Sequence, residues 1–161
     1  MERKSLAGLH CSVAQCLEVV GDWWTLLIVR DAFFGVRRFD EFQERLGISR
    51  NVLNQRLIRL VGQDVLTKVP YSRRPPRYDY CLTEKGRDLW PILNAMRQWG
   101  DTYAAPDGPP LELVHKTCGH VTEAVLTCSR CGERMSAGDV RSVPGSGDLD
   151  GIVASAGASS S

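Results

Sequence analysis

The residues whose chemistry is easiest to interpret lie near the end of the chain, in two short motifs. His115 and Cys118 form a His-x-x-Cys pair. Cys128 and Cys131 form a Cys-x-x-Cys pair, and a glycine follows each pair, where it permits the tight turn of a metal knuckle. One imidazole and three thiolates make a closed tetrahedral set, which is typical of structural zinc. The spacing therefore predicts a small C-terminal β-hairpin that resembles a zinc ribbon, with no open coordination position for catalysis.

Two features of this segment keep a second interpretation open. The nine residues between Cys118 and Cys128 are few for a zinc ribbon, and His120 competes with His115 as the nitrogen ligand. The alternative is a reduced, metal-free β-hairpin that keeps its Cys-Gly turns and packs through its apolar side chains. Measuring the metal content of the purified protein distinguishes the two.

A second group of residues has the chemistry of nucleic-acid binding. From Arg45 to Arg77 the chain contains eight basic residues and one acid, Asp64, although the whole chain carries a net charge of only +1. Positive charge concentrated in this way predicts phosphate binding, and amide side chains can read base edges. The bland alternative is a solvated basic face. The predicted DNA-contacting residues are Arg50, Asn51, Asn54, Gln55, Arg59, Arg73, Arg74 and Arg77.

The elements that must position these side chains follow from local signals. Residues 39–46 have a helical pattern that ends at Gly47, and Ser49 is suited to cap a second helix. That second helix has a stripe of leucines on one side and amides on the other. After Asp64 the pattern changes to two strands around a basic Pro-Pro tip. A helix-turn-helix followed by a basic hairpin predicts a winged helix with one helix in the DNA major groove.

Three more helices are predicted around this unit. Residues 11–20 form an amphipathic helix, and residues 23–34 form a helix that is apolar nearly all round. A long helix from Glu84 to about Tyr103, capped by Thr83 and bent at Pro91, has an apolar stripe with few core neighbours to cover it. We therefore expect a homodimer that buries this stripe together with the first helix, the alternative being packing within one subunit. The stripe comprises Leu89, Ile92, Leu93, Met96, Trp99 and Tyr103.

Composition and charge divide the chain into three segments. Residues 1–105 form the predicted winged helix-turn-helix and dimerisation domain, residues 106–141 the small hairpin, and residues 142–161 a disordered Gly/Ser/Ala-rich tail. The fold class is mainly α with a small β wing. Hydrophobic residues make up 43% and charged residues 24% of the chain, and there is no long apolar run or signal-peptide core, so we expect a cytoplasmic protein without a membrane partner.

Several motifs of the first segment resemble those of the HxlR-type family of bacterial transcriptional regulators. They are Cys11 at the start of the first helix, Gly-Asp-Trp-Trp-Thr-Leu-Leu-Ile, Phe-Gly-x-Arg-Arg-Phe, Ile-Ser-x-x-x-Leu-x-x-Arg-Leu, and Pro-Pro-x-x-x-Tyr followed by Leu-Thr-x-x-Gly. The resemblance covers about residues 9–103 and departs at Ser12, where many relatives have proline. It implies a MarR-like winged-helix dimer that regulates nearby genes, with an operator and a small-molecule effector that it does not identify.

The resemblance also gives Cys11 a candidate role, because the cysteine at this position senses oxidants or electrophiles in some members of the family. The other interpretation is a small apolar residue in the dimer interface. Cys16 and Cys81 are expected to be core residues.

The leading hypothesis from the sequence is a sequence-specific regulator that binds double-stranded DNA. No catalytic constellation is recognisable, so we do not expect an enzyme. The alternative functions are a small metal-handling protein that uses the C-terminal Cys/His cluster, and a protein-interaction module.

Overall fold

A computed structural model of the chain describes residues 5–147 and divides into two compact units, the first ending at Pro106 and the second beginning at Asp107. Of the tail predicted to be disordered, residues 142–147 contain no helix or strand, and residues 148–161 lie outside the described residues.

Four helices open the first unit, and local signals place their ends. They are α1 (Ser12–Val20), α2 (Trp23–Phe33), α3 (Phe39–Leu46) and α4 (Arg50–Gly62). The carboxylate of Asp22 accepts hydrogen bonds from the first backbone N–H groups of α2, and the Ser49 hydroxyl does the same for α4. Gly47 ends α3 with a φ of 63°, a left-handed conformation that glycine adopts without strain. The predicted helix-turn-helix is confirmed.

The wing is an antiparallel hairpin of β1 (Leu66–Arg73) and β2 (Pro76–Leu82), with Leu66 opposite Leu82. Its second strand is tied to the segment that precedes α3. The Tyr80 N–H donates to the Arg37 carbonyl at 2.8 Å, and Arg38 forms a β-bridge with Asp79. The wing therefore has a defined position against the helix-turn-helix.

The prediction of a single long helix from Glu84 to Tyr103 is wrong. The chain forms two helices, α5 (Glu84–Arg87) and α6 (Trp90–Tyr103). Thr83 caps α5 as predicted, its hydroxyl accepting the Gly86 N–H at 3.0 Å. Pro91 lies in the first turn of α6, where a backbone N–H has no helical partner. Proline therefore begins a helix here instead of bending one.

One hydrophobic core holds α2, α3, α4 and the wing together. Helix α2 supplies Ile28 and Val29, which are fully buried, and so has the central place that its all-round apolar character predicted. A buried charge lies beside this core: the carboxylate of Asp31 is fully buried and pairs with Arg30 at 2.9 Å and with Arg45 of α3 at 3.5 Å. The other fully or nearly fully buried side chains include Phe42, Leu53, Leu57, Leu60, Val65 and Leu66.

Two arginines tie α4 to the helices before it. Arg56 donates from Nε and Nη2 to the two carboxylate oxygens of Asp22, at 2.8 and 3.0 Å. Arg59 donates to the backbone carbonyl of Glu18 and lies 3.6 Å from the Glu18 carboxylate. Because these contacts and the buried leucines lie on adjoining sides of α4, they set the rotation of the helix about its own axis.

The second unit is built from two short hairpins with little buried surface. Strands β3 (Leu113–Val114) and β4 (Val121–Thr122) pair in the first, and a single β-bridge joins Thr127 to Arg134 in the second. A 3₁₀ turn (Ala137–Asp139) follows. Between the two Cys/His pairs, strand β4 therefore occupies only two residues.

Among residues 5–147, no single helix is long and apolar enough to cross a membrane. Helices α1 and α2 taken together pass that test by length and composition alone, and they meet at a bend of 78°.

Two of the ion pairs formed by α4, Arg56 with Asp22 and Arg50 with Asp40, differ in exposure, which predicts a difference in their contribution to stability. Replacing Asp22 by Asn keeps a side-chain cap for α2 but removes the charge that faces Arg56, a partner with only 27% of its side chain exposed. We expect Asp22→Asn to lower the free energy of unfolding by about 1–3 kcal/mol, measured by urea denaturation at neutral pH.

Asp40→Asn is the matched control. It removes the same charge from the pair that Asp40 forms with Arg50 at 3.1 Å, where the side chains are 83% and 68% exposed. Solvent screens such a pair, so the loss should stay below about 1 kcal/mol. Equal losses in the two variants would mean that the contact between Arg56 and Asp22 does not anchor α4.

Candidate nucleic-acid interface

The side of α4 that faces away from the core carries the predicted base-reading residues. Asn51, Asn54 and Gln55 are all exposed, and the leucines on the opposite side are buried. Ser49 caps the helix, which begins at Arg50, so the three amides lie in its first two turns, the part of a recognition helix that approaches base edges. The sequence-based placement of these amides on an open face agrees with the structure.

Ile58 was missed by the sequence analysis, although it lies on the same face. Its side chain is 59% exposed, one helical turn beyond Asn54. An apolar side chain at this place can contact a thymine methyl group. The signal in the sequence was the leucine stripe itself, because Ile58 falls outside it.

Arg59 does not lie on the open amide face. Its guanidinium is occupied by the backbone carbonyl and the carboxylate of Glu18. A contact with bases or phosphate would require Arg59 to leave this pairing. Helical spacing within α4 places Arg59 near the amides, and its pairing with Glu18 of α1 is a contact that spacing within one helix does not predict.

The wing tip presents three arginines, Arg73, Arg74 and Arg77, all exposed. Within residues 5–147, none of the three forms an ion pair, so their charges remain available for phosphate groups. Lys68 lies further down the wing, with its ammonium group 4.8 Å from the centre of the Tyr78 ring. The wing is therefore basic at its tip and has a cation on an aromatic face nearer its base.

A joint between α3 and the wing lies beside these arginines. The Arg38 guanidinium lies 4.9 Å from the centre of the Tyr71 ring and 3.8 Å from the Asp79 carboxylate. The Glu41 carboxylate accepts the backbone N–H groups of Arg38 and Arg37, and these two bonds lower the pKa of Glu41. The ionised carboxylate also interacts favourably with the positive end of the α3 helix dipole.

A cleft of about 500 Å³ opens between the wing and the start of α3. Arg50 lies in its wall, 4.7 Å from the centre of the Phe39 ring and bonded to Asp40 and Gln43. Tyr80 lines the other side, and burial raises its pKa. The predicted DNA contact Arg50 thus has acidic and amide partners within the protein, unlike the arginines of the wing tip.

The predicted metal ligands come together as two separate pairs. The His115 Nδ1 and Cys118 Sγ atoms are 3.3 Å apart. In the second pair, the backbone N–H groups of Cys131 and Arg130 and the Cys131 side chain lower the pKa of the Cys128 thiol. Among the described residues the structure assembles no group of three or more His, Cys, Asp or Glu side chains that could hold a metal ion.

The remaining cysteines lie in the first unit. Cys11 is exposed and occupies the N-cap position of α1. Cys16 is half-buried, as is Cys81, to whose sulfur the Arg37 guanidinium donates at 3.7 Å. The two cysteines expected to be core residues are thus only partly buried, and Cys81 has a charged neighbour because the wing strand folds back against the segment before α3.

Comparison with known proteins matches residues 19–108 to the HxlR-like helix-turn-helix family. An HTH-type transcriptional regulator of Mycobacterium tuberculosis is 49% identical to this chain over 137 residues, which cover 84% of this chain and 87% of the relative. That match extends well beyond the family region.

Solved structures give the same result. The crystal structure of PA1607, a candidate transcription factor, has a TM-score of 0.77 and 41% identity, covering 87% of this chain and 99% of its own. The redox regulator HypR in its reduced form has a TM-score of 0.54 and 31% identity, covering 57% of this chain and 92% of its own. With its winged helix-turn-helix in place, this chain belongs to the HxlR-like family of transcriptional regulators.

Proposed function

We propose that the protein regulates transcription by binding double-stranded DNA as a homodimer. The observation that carries this proposal is the pairing of two surfaces in one compact unit. One is the exposed amide face of α4, and the other is the wing tip with its three unpaired arginines. Amides read base edges and arginines hold phosphates or enter the minor groove, so each surface supplies what the other lacks.

The two surfaces should contribute differently to binding. Asn51, Asn54 and Gln55 have short, uncharged side chains that give direction-dependent hydrogen bonds and little attraction at a distance. The wing arginines attract any phosphate backbone, and this part of the affinity weakens steeply with salt. Asp22 and Glu18 hold Arg56 and Arg59, so these two arginines position α4 and leave the amides to meet the groove.

The first experiment separates base reading from phosphate binding. Asn54→Ala should weaken binding to the operator by about 1–3 kcal/mol and leave binding to random DNA unchanged, because a bidentate contact to adenine is specific. Gel retardation of the upstream DNA of the protein's own gene, over a series of salt concentrations, measures both affinities.

A variant of the wing is the control, because it should change phosphate binding and leave base reading intact. Replacing Arg73 and Arg74 by Ala should weaken binding to all sequences alike and reduce the salt slope by up to about two units. If wild-type protein shows no salt-dependent DNA binding, or if Asn51→Ala, Asn54→Ala and Gln55→Ala all retain full discrimination between operator and random DNA, the assignment of α4 as the reading helix fails.

The proposed dimer rests on apolar surface that the first unit leaves open. On α6, Met96 is 51%, Trp99 64% and Tyr103 73% exposed, and on α1 Val13 is 68% exposed. Side chains of this size in contact with water favour burial against a partner. A two-fold dimer would also present two reading helices to successive turns of the groove, which a single winged unit cannot do.

Met96→Glu tests the dimer, because it would bury an unpaired carboxylate in an apolar contact. We expect wild-type protein to sediment as a dimer at micromolar concentration and the variant to dissociate to monomers. Gln63→Glu, which adds the same charge at an exposed position at the end of α4, should remain dimeric. A wild-type monomer at that concentration would contradict the proposal.

We also propose that Cys11 makes DNA binding sensitive to oxidants. Three observations support this role. Its thiol is exposed, it lies at the first turn of α1 beside the open apolar face, and a redox regulator is among the similar solved structures. Oxidation of the Cys11 thiol by hydrogen peroxide, in which the sulfur gains one oxygen atom and the O–O bond breaks, gives a sulfenic acid and water.

Treatment with hydrogen peroxide should therefore lower operator affinity of the wild-type protein and leave Cys11→Ser unaffected. Cys16→Ser is the matched control, since it removes a half-buried thiol from the same helix and should retain the response. A Cys11→Ser protein that still loses DNA binding on oxidation would rule out this role for Cys11.

A further inference from the structure

The two hairpins of the second unit are copies of one another, offset by thirteen residues. In the first, the His115 N–H donates to the His120 carbonyl at 2.9 Å, and in the second the Cys128 N–H donates to the Glu133 carbonyl at 2.8 Å. Each turn closes with a second bond, from Gly119 to His115 and from Gly132 to Cys128, both 2.8 Å. The same backbone geometry is thus built twice.

The correspondence continues through the glycines and into the strands. Gly119 and Gly132 both have left-handed backbones, with φ of 72° and 76°, which side chains other than glycine rarely adopt. The ladder pair Val114 and Val121 corresponds to the bridge between Thr127 and Arg134. A repeat that preserves hydrogen bonds, glycine conformation and strand pairing defines which residues occupy equivalent positions.

This register shows which His and Cys side chains of the two turns occupy equivalent positions. Cys118 is equivalent to Cys131, and His115 is equivalent to Cys128, so both positions of each knuckle carry a side chain that binds transition metals. His120 is equivalent to Glu133, outside the ligand positions. We infer that the two knuckles form one structural site for a zinc-type divalent ion, with His115, Cys118, Cys128 and Cys131 as its ligands.

The spacing within the first pair fits this chemistry. Two ligands of a tetrahedral zinc ion, one imidazole nitrogen and one thiolate, lie about 3.5 Å apart. The His115 Nδ1 and Cys118 Sγ atoms are 3.3 Å apart already. In the second knuckle the Arg130 N–H donates to the Cys128 sulfur at 3.4 Å, a bond that stabilises a thiolate in the orientation of a ligand.

The apolar residues of the second unit bury too little surface to stabilise its fold without a cross-link. Of residues 107–147, only Leu113, Cys128 and Met135 are even half-buried, and Leu126 is 73% exposed. Hairpins of this size bury too little surface to fold alone, so metal binding would provide folding free energy. In the described chain the two pairs are not assembled into a group of three or more ligands. Binding of one ion by all four side chains therefore requires the two hairpins to approach each other.

The test uses the full-length, untagged protein, reduced and purified without chelator. Elemental analysis should find about one zinc per chain, and titration of the metal-free protein with Co²⁺ should give the visible absorption of a tetrahedral cobalt thiolate. His115→Ala and Cys128→Ser should each weaken Co²⁺ binding by more than the roughly tenfold to hundredfold cost of losing an outer-shell partner.

His120→Ala is the matched control and should bind Co²⁺ as the wild type does. Helical circular dichroism should be unchanged in every variant, because the winged unit holds nearly all of the helix. Three results would each overturn the inference: a wild-type protein that binds neither metal, a Cys128→Ser protein that binds as tightly as wild type, or a loss in His120→Ala equal to or greater than that in His115→Ala.

Discussion

The rotation of α4 about its axis is the constraint on which the proposed interface depends. Burial of Leu53, Leu57 and Leu60 limits that rotation. The ion pair of Arg56 with Asp22, on an adjoining side of α4, restricts it further. A helix turned by one position would bury an amide and expose a leucine, at a cost of several kcal/mol from the lost apolar burial and the unpaired polar group. The amide face is open to solvent because the leucines turn another side of α4 toward the core and its arginines contact α1 and the cap of α2.

The charge of the winged unit is divided in the same way. Some arginines are neutralised within the fold: Arg56 by the cap of α2, Arg59 by α1, and Arg45 by a buried carboxylate of α2. The arginines of the wing tip have no such partner in the described chain. The basic segment therefore contains arginines that form ion pairs within the fold and arginines that can bind phosphate. Net charge alone does not distinguish the two kinds. Measurements on the wing should report phosphate binding, whereas those on Arg56 should report stability.

Much of this molecule follows from its sequence. The helix-turn-helix was predictable because its signals are local: a serine cap, a glycine with a left-handed backbone, and leucines at helical spacing act over a few residues. The wing was predictable for a similar reason, since alternating apolar residues flank a turn rich in proline and arginine. The family followed from motifs that combine these signals, and the Cys/His pairs of the second unit were visible as spacing alone.

Only the tertiary structure decided which members of those patterns are available. It withdrew Arg59 from the amide face by pairing it with Glu18, and it added Ile58 to that face. The division of the predicted long helix was, by contrast, a local effect that the sequence already contained, because a proline suits the first turn of a new helix. The tertiary structure also showed that the two C-terminal turns share one pattern of backbone hydrogen bonds. In that pattern His115 corresponds to Cys128, whereas His120 corresponds to Glu133. Local propensity acts between near neighbours in the chain, whereas burial, ion pairing and repeat register depend on residues that folding brings together.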